Sequence, residues 1–353
     1  MPAILILKTG ALGDVLRTTS ILPGLQTRYP DQRIVWLTAP SAVDLVRLHP
    51  RVDRVVAVDP KKPGDLERCR AELAAFAPWS RVLSLDDEEP LCALASELAA
   101  PWGAPGVLSG AYLDREGQRR YTPDVAPWFD MGLLSVHGKE RADALKVANG
   151  KSHAAIYAEM FGIEMGEPEL PLLPEHEAFA RRFVQGQAAQ LPRPWVGLNT
   201  GSGGRWESKK LSPERTVELA AALAKARGGA IGFVLLGGPE EAERNRDIGA
   251  RLAARNLAYV DAGTDNGLLD FAALVAQLDL LITSDSLALH VAVARRVPVL
   301  AFFAPTSAAE IELYGRGAKV SSTAPDYCSY RRDADTSTLT VERLLPSALA
   351  LLR

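Results

Sequence analysis

The stretch Leu280–Thr306, LLITSDSLALHVAVARRVPVLAFFAPT, determines how the rest of the sequence is interpreted. The apolar run Asp279–Thr283 has the length and β-branched content of a buried strand. Ser284–Ser286 then break the run with residues that favour a helix N-cap, and a short apolar helix follows and ends near Arg295. Val297–Phe303 is the next predicted strand. A strand, a helix and a second strand form a βαβ unit, which predicts a parallel sheet with helices on its faces.

Three polar residues, Asp285, Ser286 and His290, follow the first strand of this unit. In parallel sheets, ligands bind beyond the carboxyl ends of the strands. The N-terminus of the helix also presents free N–H groups and a partial positive charge, which suit a phosphate. A single histidine in an apolar helix is more often a packed core residue than a catalyst, so the residue alone does not decide between the two.

The same alternation of strands and helices runs through both halves of the chain. Strands are predicted at 3–7, 33–38, 54–58 and 81–85, and again at 195–199, 231–236, 257–260, 279–283 and 297–303. Helices are predicted at 14–28, 42–48, 64–76, 152–161, 175–190, 213–226, 268–277 and 341–352, with another from residue 240. The sequence Leu191–Pro194 is typical of a linker. We therefore predict an α/β protein with two doubly wound, Rossmann-like domains, residues 1–190 and 195–338, and a C-terminal helix within 339–353.

The alternation fails between residues 112 and 151. The basic residues of this segment are Arg115, Arg119, Arg120, Lys139, Arg141, Lys146 and Lys151. A segment of this length without clear strands is usually functional or disordered, and the aromatic residues Tyr121, Trp128 and Phe129 favour an ordered, functional one. The basic side chains would attract an anionic glycan, and Trp128 or Phe129 could stack on a sugar ring. The alternative is that the aromatic residues pack on the domain core and the basic side chains are solvated.

Composition excludes several classes of protein. The chain has 353 residues, a length that suits roughly two domains, and a net charge of −3, which gives no nucleic-acid footprint. Its three cysteines lie far apart, which indicates free thiols in a reducing compartment. The sequence shows no signal-peptide pattern and no apolar run of about 20 residues. We expect a soluble, cytoplasmic protein that does not bind nucleic acid.

Two glycine-rich loops follow predicted strands, Thr200–Gly204 and Gly237–Gly238. A glycine-rich loop between a strand and a helix favours phosphate binding by backbone N–H groups. A plain turn is the alternative for the first loop, and close helix packing is the alternative for the second. Asp14 also follows a strand and precedes a helix, where aspartate is often only a capping residue.

Two acidic groups are weaker candidates. Asp333 and Asp335 have the D-x-D spacing of a manganese site but lie in a polar tail, which indicates solvated surface. Asp86–Glu89 ends a predicted strand, although adjacent carboxylates of this kind usually form a solvated loop or a helix start. No histidine, cysteine or acidic cluster has metal-ligand spacing, so no metal site is predicted.

Three motifs in this order resemble the glycosyltransferase family that includes the ADP-heptose:lipopolysaccharide heptosyltransferases, glycosyltransferase family 9. Ile4–Ser20, ILILKTGALGDVLRTTS, is similar to that family's opening strand and its G-D-V-L-x-T-T loop. Asn199–Glu214, NTGSGGRWESKKLSPE, is similar to its glycine-rich loop with a lysine and a Pro-Glu helix start. Ser284–Thr306 resembles its D-[ST]-G-x-x-H helix and the strand that ends in Pro-Thr. Leu287 and Leu211 stand where the family commonly has glycine and tryptophan.

The resemblance implies a GT-B fold, in which two doubly wound domains face each other across a cleft. It also implies a metal-independent, inverting transfer of a sugar, most often a heptose, from a nucleotide diphosphate donor to a saccharide acceptor such as lipopolysaccharide core. Asp14 would be the general base and Lys209 would neutralise the departing diphosphate, whereas Lys210 is interpreted as a solvated side chain. No cofactor is expected beyond the nucleotide sugar itself, for which ADP-heptose is the expected donor.

The predicted binding residues divide between the two domains. The donor-binding candidates are Thr200, Gly201, Ser202, Gly237, Gly238, Asp285, Ser286, His290 and Thr306. The acceptor-binding candidates are Gly13, Arg120, Trp128, Lys139, Arg141 and Lys146. A saccharide or glycolipid acceptor also leaves open a peripheral contact with the inner membrane surface.

Three alternatives stay open at this point. One is a nucleotide-sugar 2-epimerase that hydrolyses its donor on the same fold. Another is a transferase of a different sugar, such as a hexose from a UDP donor. The third is a non-catalytic nucleotide-sugar-binding protein, which Leu287 favours, whereas Asp14 and Lys209 speak against it.

Overall fold

The computed structural model describes residues 2–99, 106–204 and 206–352. The chain divides into two compact units, Met1–Pro171 and Leu172–Arg353. Each unit is built around its own six-stranded sheet. Arg205, part of the glycine-rich motif quoted above, lies outside the described residues. Within the described part of the chain, no helix is long and apolar enough to cross a membrane.

The first unit has strands β1 to β6 in the order β3-β2-β1-β4-β5-β6. The strands are β1 (Ala3–Leu7), β2 (Arg33–Thr38), β3 (Arg54–Ala57), β4 (Trp79–Ser84), β5 (Leu108–Leu113) and β6 (Arg119–Tyr121). The helices are α1 (Leu12–Thr18), α2 (Leu22–Arg28), α3 (Val43–Val46), α4 (Asp65–Ala74), α5 (Glu89–Leu98), α6 (Ala126–Phe129), α7 (Lys139–Ala148) and α8 (His153–Phe161). All neighbouring strands are parallel except β5 and β6, which are antiparallel.

Strand β1, at the centre of this sheet, is apolar along its whole length because helices cover both faces of the sheet. All five residues of β1 are buried, and Leu5 pairs with Val35 of β2 on one side and with Val82 of β4 on the other. These three residues belong to one apolar core, which also includes Leu73 of α4 and Leu94 of α5. Burial on both faces therefore explains the continuous apolar runs that predicted β1 and β2.

The second unit repeats the arrangement with the order β12-β11-β10-β7-β8-β9, all parallel. Its strands are β7 (Trp195–Asn199), β8 (Gly232–Leu236), β9 (Tyr259–Asp261), β10 (Leu280–Ser284), β11 (Val299–Phe303) and β12 (Gly317–Ser321). Its helices are α9 (Pro174–Gln185), α10 (Pro213–Ala226), α11 (Ala242–Ala254), α12 (Leu268–Val275), α13 (Leu287–Ala294) and α14 (Val341–Leu351). Its core joins Val196, Leu280 and Phe302 to residues of α10, α11 and α14.

The two sheets share one topology. When the strands of each unit are counted from its own start, both sheets have the doubly wound order 3-2-1-4-5-6 or its reverse. The strand order switches direction between β1 and β4 in the first unit and between β7 and β10 in the second. Ligands of such sheets bind at this switch point, beyond the carboxyl ends of the strands. The two doubly wound units that the alternation predicted are confirmed.

The structure changes three details of the prediction. Helix α9 lies in the second unit, because it packs on α12 and its His176 Nδ1 lies 2.8 Å from Asp270 Oδ1. The division at 171–172 therefore precedes the predicted linker by about twenty residues. The segment 112–151 was predicted to lack strands, yet it contains the end of β5, the antiparallel strand β6 and the helices α6 and α7. Helix α5 and strands β5, β6 and β12 were not predicted at all.

Candidate active site

Asn199 connects the two strands at the switch point of the second sheet. Its side-chain Nδ2 donates to Thr283 Oγ1 at 3.0 Å and to Ser286 Oγ at 3.3 Å, both at the carboxyl end of β10. The same amide nitrogen donates to the Gly201 carbonyl at 2.7 Å. Asn199 thereby fixes the first glycine-rich loop against the start of α13. The sequence analysis did not single out Asn199, because the last residue of a strand carries no local signal of such a role.

Lys209 and His290 converge on one carboxylate, that of Asp285. Lys209 Nζ donates to the Asp285 backbone carbonyl at 2.8 Å and to Asp285 Oδ2 at 3.0 Å. His290 Nε2 lies 3.7 Å from Asp285 Oδ1. The lysine and aspartate side chains are 14% and 19% exposed, so the pair lies in a mostly buried setting that solvent still reaches. The structure therefore brings the predicted leaving-group residue, Lys209, together with two predicted donor-binding residues, Asp285 and His290.

Besides Asp285, the turn that carries Lys209 and the neighbouring Trp206 ring also position the Lys209 side chain. Lys209 lies in a 3-10 turn, Glu207–Lys209, with Nζ 5.6 Å from the centre of the Trp206 ring. Ser208 anchors this turn, since its N–H donates to the Arg332 carbonyl at 3.2 Å and its hydroxyl donates to the Arg331 carbonyl at 3.1 Å. The lysine is thus positioned by backbone contacts as well as by Asp285.

Lys210 differs from the prediction. Its side chain is only 10% exposed, although the sequence analysis interpreted it as solvated. The ammonium group lies 3.0 Å from the exposed Glu207 carboxylate, while the aliphatic part of the side chain is covered. Lys209 and Lys210 therefore point to different partners, Asp285 and Glu207.

The Glu241 side chain, which the sequence analysis missed, contacts both glycine-rich loops. Its buried carboxylate accepts the Gly203 N–H at 3.2 Å and the Gly238 N–H at 2.9 Å. A Cβ at Gly201 would lie 2.1 Å from this carboxylate, and one at Gly237 would lie 2.7 Å from Glu241 Cβ. The glycines are thus needed to admit the Glu241 side chain. In this structure the Gly203 and Gly238 N–H groups are engaged by that carboxylate and are not presented to a phosphate.

The hydroxyl candidates divide into two groups. Thr200 is a buried structural residue, because its Oγ1 contacts the Leu236 carbonyl at 3.2 Å and Asn245 Oδ1 at 2.5 Å. Thr306 is also buried, just beyond the end of β11. Ser202 and Ser286 are half-buried. Ser202 Oγ lies 3.4 Å from the Trp206 carbonyl, and Ser286 is the N-cap residue of α13.

The half-buried Tyr330 and the buried Glu310 form a second polar pair in this unit. The Tyr330 hydroxyl donates to Glu310 Oε1 at 2.9 Å, and the Tyr330 N–H donates to the Pro305 carbonyl at 2.8 Å. Burial and then the nearby Glu310 raise the pKa of Tyr330, and Asp285 adds a smaller contribution in the same direction. No motif indicated this pair, because Glu310 and Tyr330 lie in irregular segments.

At the switch point of the first sheet, Lys8 and Asp86 form a buried ion pair. Lys8 Nζ lies 2.5 Å from Asp86 Oδ1, and Thr9 donates to Asp86 Oδ2 through its N–H and its hydroxyl. Burial alone would lower the pKa of Lys8, but Asp86 and Asp14 together outweigh it, and the pKa is raised. Asp86 is therefore a buried partner of Lys8 and not part of a solvated acidic loop. Glu88 and Glu89 of the same cluster are exposed at the start of α5.

Asp14 lies two residues into α1, beside Gly13, beyond the carboxyl end of β1. Its Oδ2 accepts the Ala11 N–H at 3.3 Å, so the capping interaction is present. Its Oδ1 lies 2.8 Å from Arg17 Nη2, and the Asp14 side chain is 35% exposed. The carboxylate is thus held in place on one side of the group and is accessible to solvent. An accessible, oriented carboxylate is able to accept a proton.

Aromatic side chains surround the Arg17 that holds Asp14. The Arg17 guanidinium lies over the Trp128 ring, 5.4 Å from its centre. The Trp128 ring meets His153 and Tyr157 of α8 in edge-on contacts at 5.1 and 5.7 Å. Trp128 is therefore connected to Asp14 through one residue. Phe129, the other predicted sugar-stacking residue, is buried and stacked on Tyr121, which makes it a core residue.

The basic acceptor candidates lie farther along the same segment, and their described partners are local carboxylates. Arg120 pairs with Asp114 at 3.1 Å, and Lys139 pairs with Asp143 one turn along α7. Arg141 is exposed and Lys146 is half-buried on the same helix. The structure thus places Gly13 next to Asp14, connects Trp128 to Asp14 through Arg17, and places Lys139, Arg141 and Lys146 on α7. Among the described residues, no group of three or more histidine, cysteine or acidic side chains is arranged to hold a metal ion.

The family model of glycosyltransferase family 9 (heptosyltransferase) matches residues 136–341, more than half of the chain. No curated protein sequence matches significantly.

Three solved structures resemble the whole chain. A family 9 glycosyl transferase from Veillonella parvula is 20% identical with a TM-score of 0.78, over 99% of this chain and 97% of that one. E. coli ADP-heptose lps heptosyltransferase II is 19% identical with a TM-score of 0.67, over 99% and 98% of the two chains. E. coli heptosyltransferase WaaC with ADP is 18% identical with a TM-score of 0.60, over 99% of both chains. These likenesses confirm the GT-B fold class.

Proposed function

This chain belongs to glycosyltransferase family 9, and from that membership we propose that it transfers a heptose from ADP-heptose to a saccharide acceptor such as lipopolysaccharide core. The family makes it a glycosyltransferase of the heptosyltransferase group. The donor, the acceptor and the mechanism are the proposal. One observation carries it: each sheet presents, beyond its carboxyl edge, the charged group that one half of the reaction needs. The first unit offers the Asp14 carboxylate and the second offers the Lys209 ammonium.

The first half of the reaction is removal of a proton from the acceptor. The acceptor hydroxyl oxygen attacks the anomeric carbon of the donor sugar, and its proton passes to the Asp14 carboxylate. Asp14 suits this role because its carboxylate is partly exposed and is oriented by Arg17 and the Ala11 N–H. A positioned base of this kind contributes roughly 10²- to 10⁴-fold to a rate. Attack from the face opposite the leaving group inverts the anomeric centre.

The second half is departure of the nucleoside diphosphate. As the bond from the anomeric carbon to the diphosphate oxygen breaks, negative charge develops on that oxygen. Lys209 would stabilise this charge without a metal ion. An ammonium group has three N–H donors, and the described contacts of Lys209 to Asp285 use two of them. The N-terminus of α13, next to Asp285, adds a favourable dipole for phosphate.

A glycolipid acceptor would bring the protein to the inner membrane surface. Support comes from the basic segment of the first unit, where Leu133, Val136 and Val147 are exposed large apolar side chains. Leu133 is 91% exposed, next to a helix that carries Lys139 and Arg141. Apolar side chains among cations suit an anionic lipid surface. Co-sedimentation with phosphatidylglycerol-containing vesicles, but not with purely zwitterionic ones, is the expected result.

Product analysis separates the proposal from its alternatives. The purified chain is incubated with ADP-heptose, with and without a heptose-deficient lipopolysaccharide core, in the presence of EDTA. We expect ADP release only with the acceptor, together with a heptosylated product of inverted configuration. Free sugar formed without acceptor would indicate a hydrolysing epimerase. Turnover of UDP-hexose in preference to ADP-heptose would indicate another transferase, and binding without turnover of any donor would indicate a non-catalytic protein.

A further inference from the structure

Arg17 makes two contacts that the proposed mechanism does not yet use. Its Nη2 lies 2.8 Å from Asp14 Oδ1, and its guanidinium carbon lies 5.4 Å from the centre of the Trp128 ring. The Arg17 side chain is 14% exposed, against 35% for Asp14. One mostly buried guanidinium therefore bridges the candidate base and the half-buried aromatic ring of the same unit.

The bridge is supported from behind. Trp128 packs edge-on against His153 and Tyr157, and these two rings are 3.8 Å apart. Tyr157 is fully buried. Ser152 caps the N-terminus of α8, because its Oγ accepts the Ala155 N–H. A guanidinium that lies over an aromatic face while pairing with a carboxylate has few other orientations open to it. The spacing between the Trp128 ring and the Asp14 carboxylate is thereby restricted.

The charges around Asp14 come from several elements. Lys8 follows β1, Asp86 follows β4, Arg17 lies on the same helix as Asp14, and Tyr157 lies on α8. Lys8 is paired with Asp86, and Arg17 places a cation in direct contact with the Asp14 carboxylate. A cation at this distance favours the ionised form of a carboxylate, the form that accepts a proton.

We propose that Arg17 is a positioning residue that couples acceptor binding to the general base. It holds Asp14 by Oδ1 and lies on one face of Trp128, so that a sugar ring bound against Trp128 meets the carboxylate at a fixed distance. This inference rests on the proposed function of Asp14. It adds that the Asp14 carboxylate is oriented by the same residue that positions the acceptor.

Variants of the full chain test the coupling, with ADP-heptose and heptose-deficient lipopolysaccharide core as substrates. Arg17→Gln is expected to lower kcat by about 10- to 100-fold, since a small misplacement of a reacting group has effects of this size. It should also raise the acceptor KM, leave the donor KM unchanged and move the acidic limb of the kcat profile to higher pH. Arg17→Lys should return the acidic limb towards that of the wild type while kcat stays low, because lysine keeps the charge but not the planar contact.

The decisive comparison is made in the background of Asp14→Asn. If Arg17 acts through Asp14, its removal should have little further effect once Asp14 has lost its basicity. The variant that combines Asp14→Asn with Arg17→Gln should therefore be at most about 2-fold slower than Asp14→Asn alone. Arg251→Gln is the matched control. It removes a helical arginine that also lies 2.8 Å from a carboxylate oxygen, here on α11, and it should leave both KM values and kcat unchanged.

Three outcomes would overturn the coupling: an unchanged kcat in Arg17→Gln, an equal loss in both backgrounds, or an acidic limb that does not move. If Arg17→Gln does not fold, Arg17→Lys and Trp128→Phe take its place. A wild-type kcat in Arg17→Lys, or an unchanged acceptor KM in Trp128→Phe, would then overturn it. Near-normal turnover in Asp14→Asn would instead show that Asp14 is not the general base of the proposed function, whatever Arg17 does.

Discussion

The Lys8 ammonium and the Asp86 carboxylate form a buried ion pair, with Nζ 2.5 Å from Oδ1, at the switch point of the first sheet. Lys8 follows β1 and Asp86 follows β4, and these two strands are neighbours in the sheet although 78 residues separate the pair. Asp86 also accepts the Thr9 N–H, so the pair fixes the loop that leads to Asp14. The position of the candidate base therefore depends on a contact between two strands.

Removal of Asp86 should leave a buried cation without its partner. We expect Asp86→Asn to lower the free energy of unfolding by about 3 kcal/mol, because an uncompensated buried charge is costly. Urea denaturation measures the loss. Glu88→Gln removes an exposed carboxylate of the same acidic cluster and should change stability by less than about 0.5 kcal/mol. Equal stabilities of the two variants would show that the ion pair contributes nothing to the fold.

The lowered pKa of His49 predicts how the free energy of unfolding depends on pH. Burial lowers its pKa from 6.5 to about 4, with Arg51 acting in the same direction and Glu169 against it. The unfolded chain binds this proton near pH 6.5, whereas the folded chain binds it only near pH 4. The unfolded state therefore binds more protons within this window, and stability falls as the pH falls from 6.5 towards 4.

The measurement is the free energy of unfolding at pH 7.5 and at pH 5.0. Between these values the wild type should lose about 1–2 kcal/mol more than His49→Gln. His137→Gln, which removes an exposed histidine, should show the loss of the wild type. If His49→Gln and the wild type lost the same amount, His49 would not be the source of the pH dependence.

Lys209 and Lys210 provide a matched pair for the leaving group. Methionine at either position keeps the aliphatic stem and removes the charge, so packing changes little. Lys209→Met should weaken ADP binding and slow transfer by the equivalent of about 3 kcal/mol, the usual contribution of one electrostatic stabiliser in a closed site. Lys210→Met should leave both unchanged because its ammonium pairs with Glu207 and not with Asp285. A larger effect of Lys210→Met on ADP affinity would place the diphosphate elsewhere.

The basic residues of α7 test the nature of the acceptor. Changing Lys139, Arg141 and Lys146 together to alanine should raise the acceptor KM, leave the donor KM unchanged and flatten the dependence of KM on salt. Steady-state kinetics at about 50 and 300 mM salt, either side of the range in which screening sets in, measure both effects. A control that changes Lys61, Lys62 and Arg70 to alanine removes the same charge from exposed positions of the same unit. If both triple variants behave alike, the effect reflects net charge and not a binding surface.

The sequence predicted the buried framework best. The predicted bounds of β1, β2 and β7 coincide with those in the structure, because largely apolar runs mark strands that are buried on both faces. Helix α10 was also predicted in full, since Ser212 caps it through the Arg215 N–H and Pro213 follows the cap. Local chemistry is sufficient for such elements.

Elements with weaker patterns were missed. Strand β5, LSGAYL, contains Gly110 at a φ of +130°, and a Cβ there would lie 1.9 Å from the Ser84 carbonyl oxygen. A glycine required by close backbone approach lowers strand propensity, so the sequence does not show this strand. Strand β12, GAKVS, is short and only partly buried, which leaves it without a clear apolar run.

Candidate site residues could be proposed from the sequence, but their contacts could not. The strand–helix pattern singled out Asp285, motif resemblance gave Asp14 and Lys209 their expected roles, and the structure joins Lys209 to Asp285. The roles of all three residues stay predictions. Glu241 and Arg17 were missed because their partners, the glycine N–H groups and the Trp128 ring, are set by tertiary packing.

The most direct test of the account is the single-turnover rate of heptose transfer from ADP-heptose to heptose-deficient lipopolysaccharide core by Asp14→Asn. Asparagine keeps the shape and the capping oxygen of Asp14 but removes its basicity. We expect transfer to slow by roughly two to four orders of magnitude, while ADP-heptose affinity and the melting temperature stay at the wild-type values. Transfer at close to the wild-type rate in a folded variant that binds donor normally would contradict the account, because Asp14 could then not be the base.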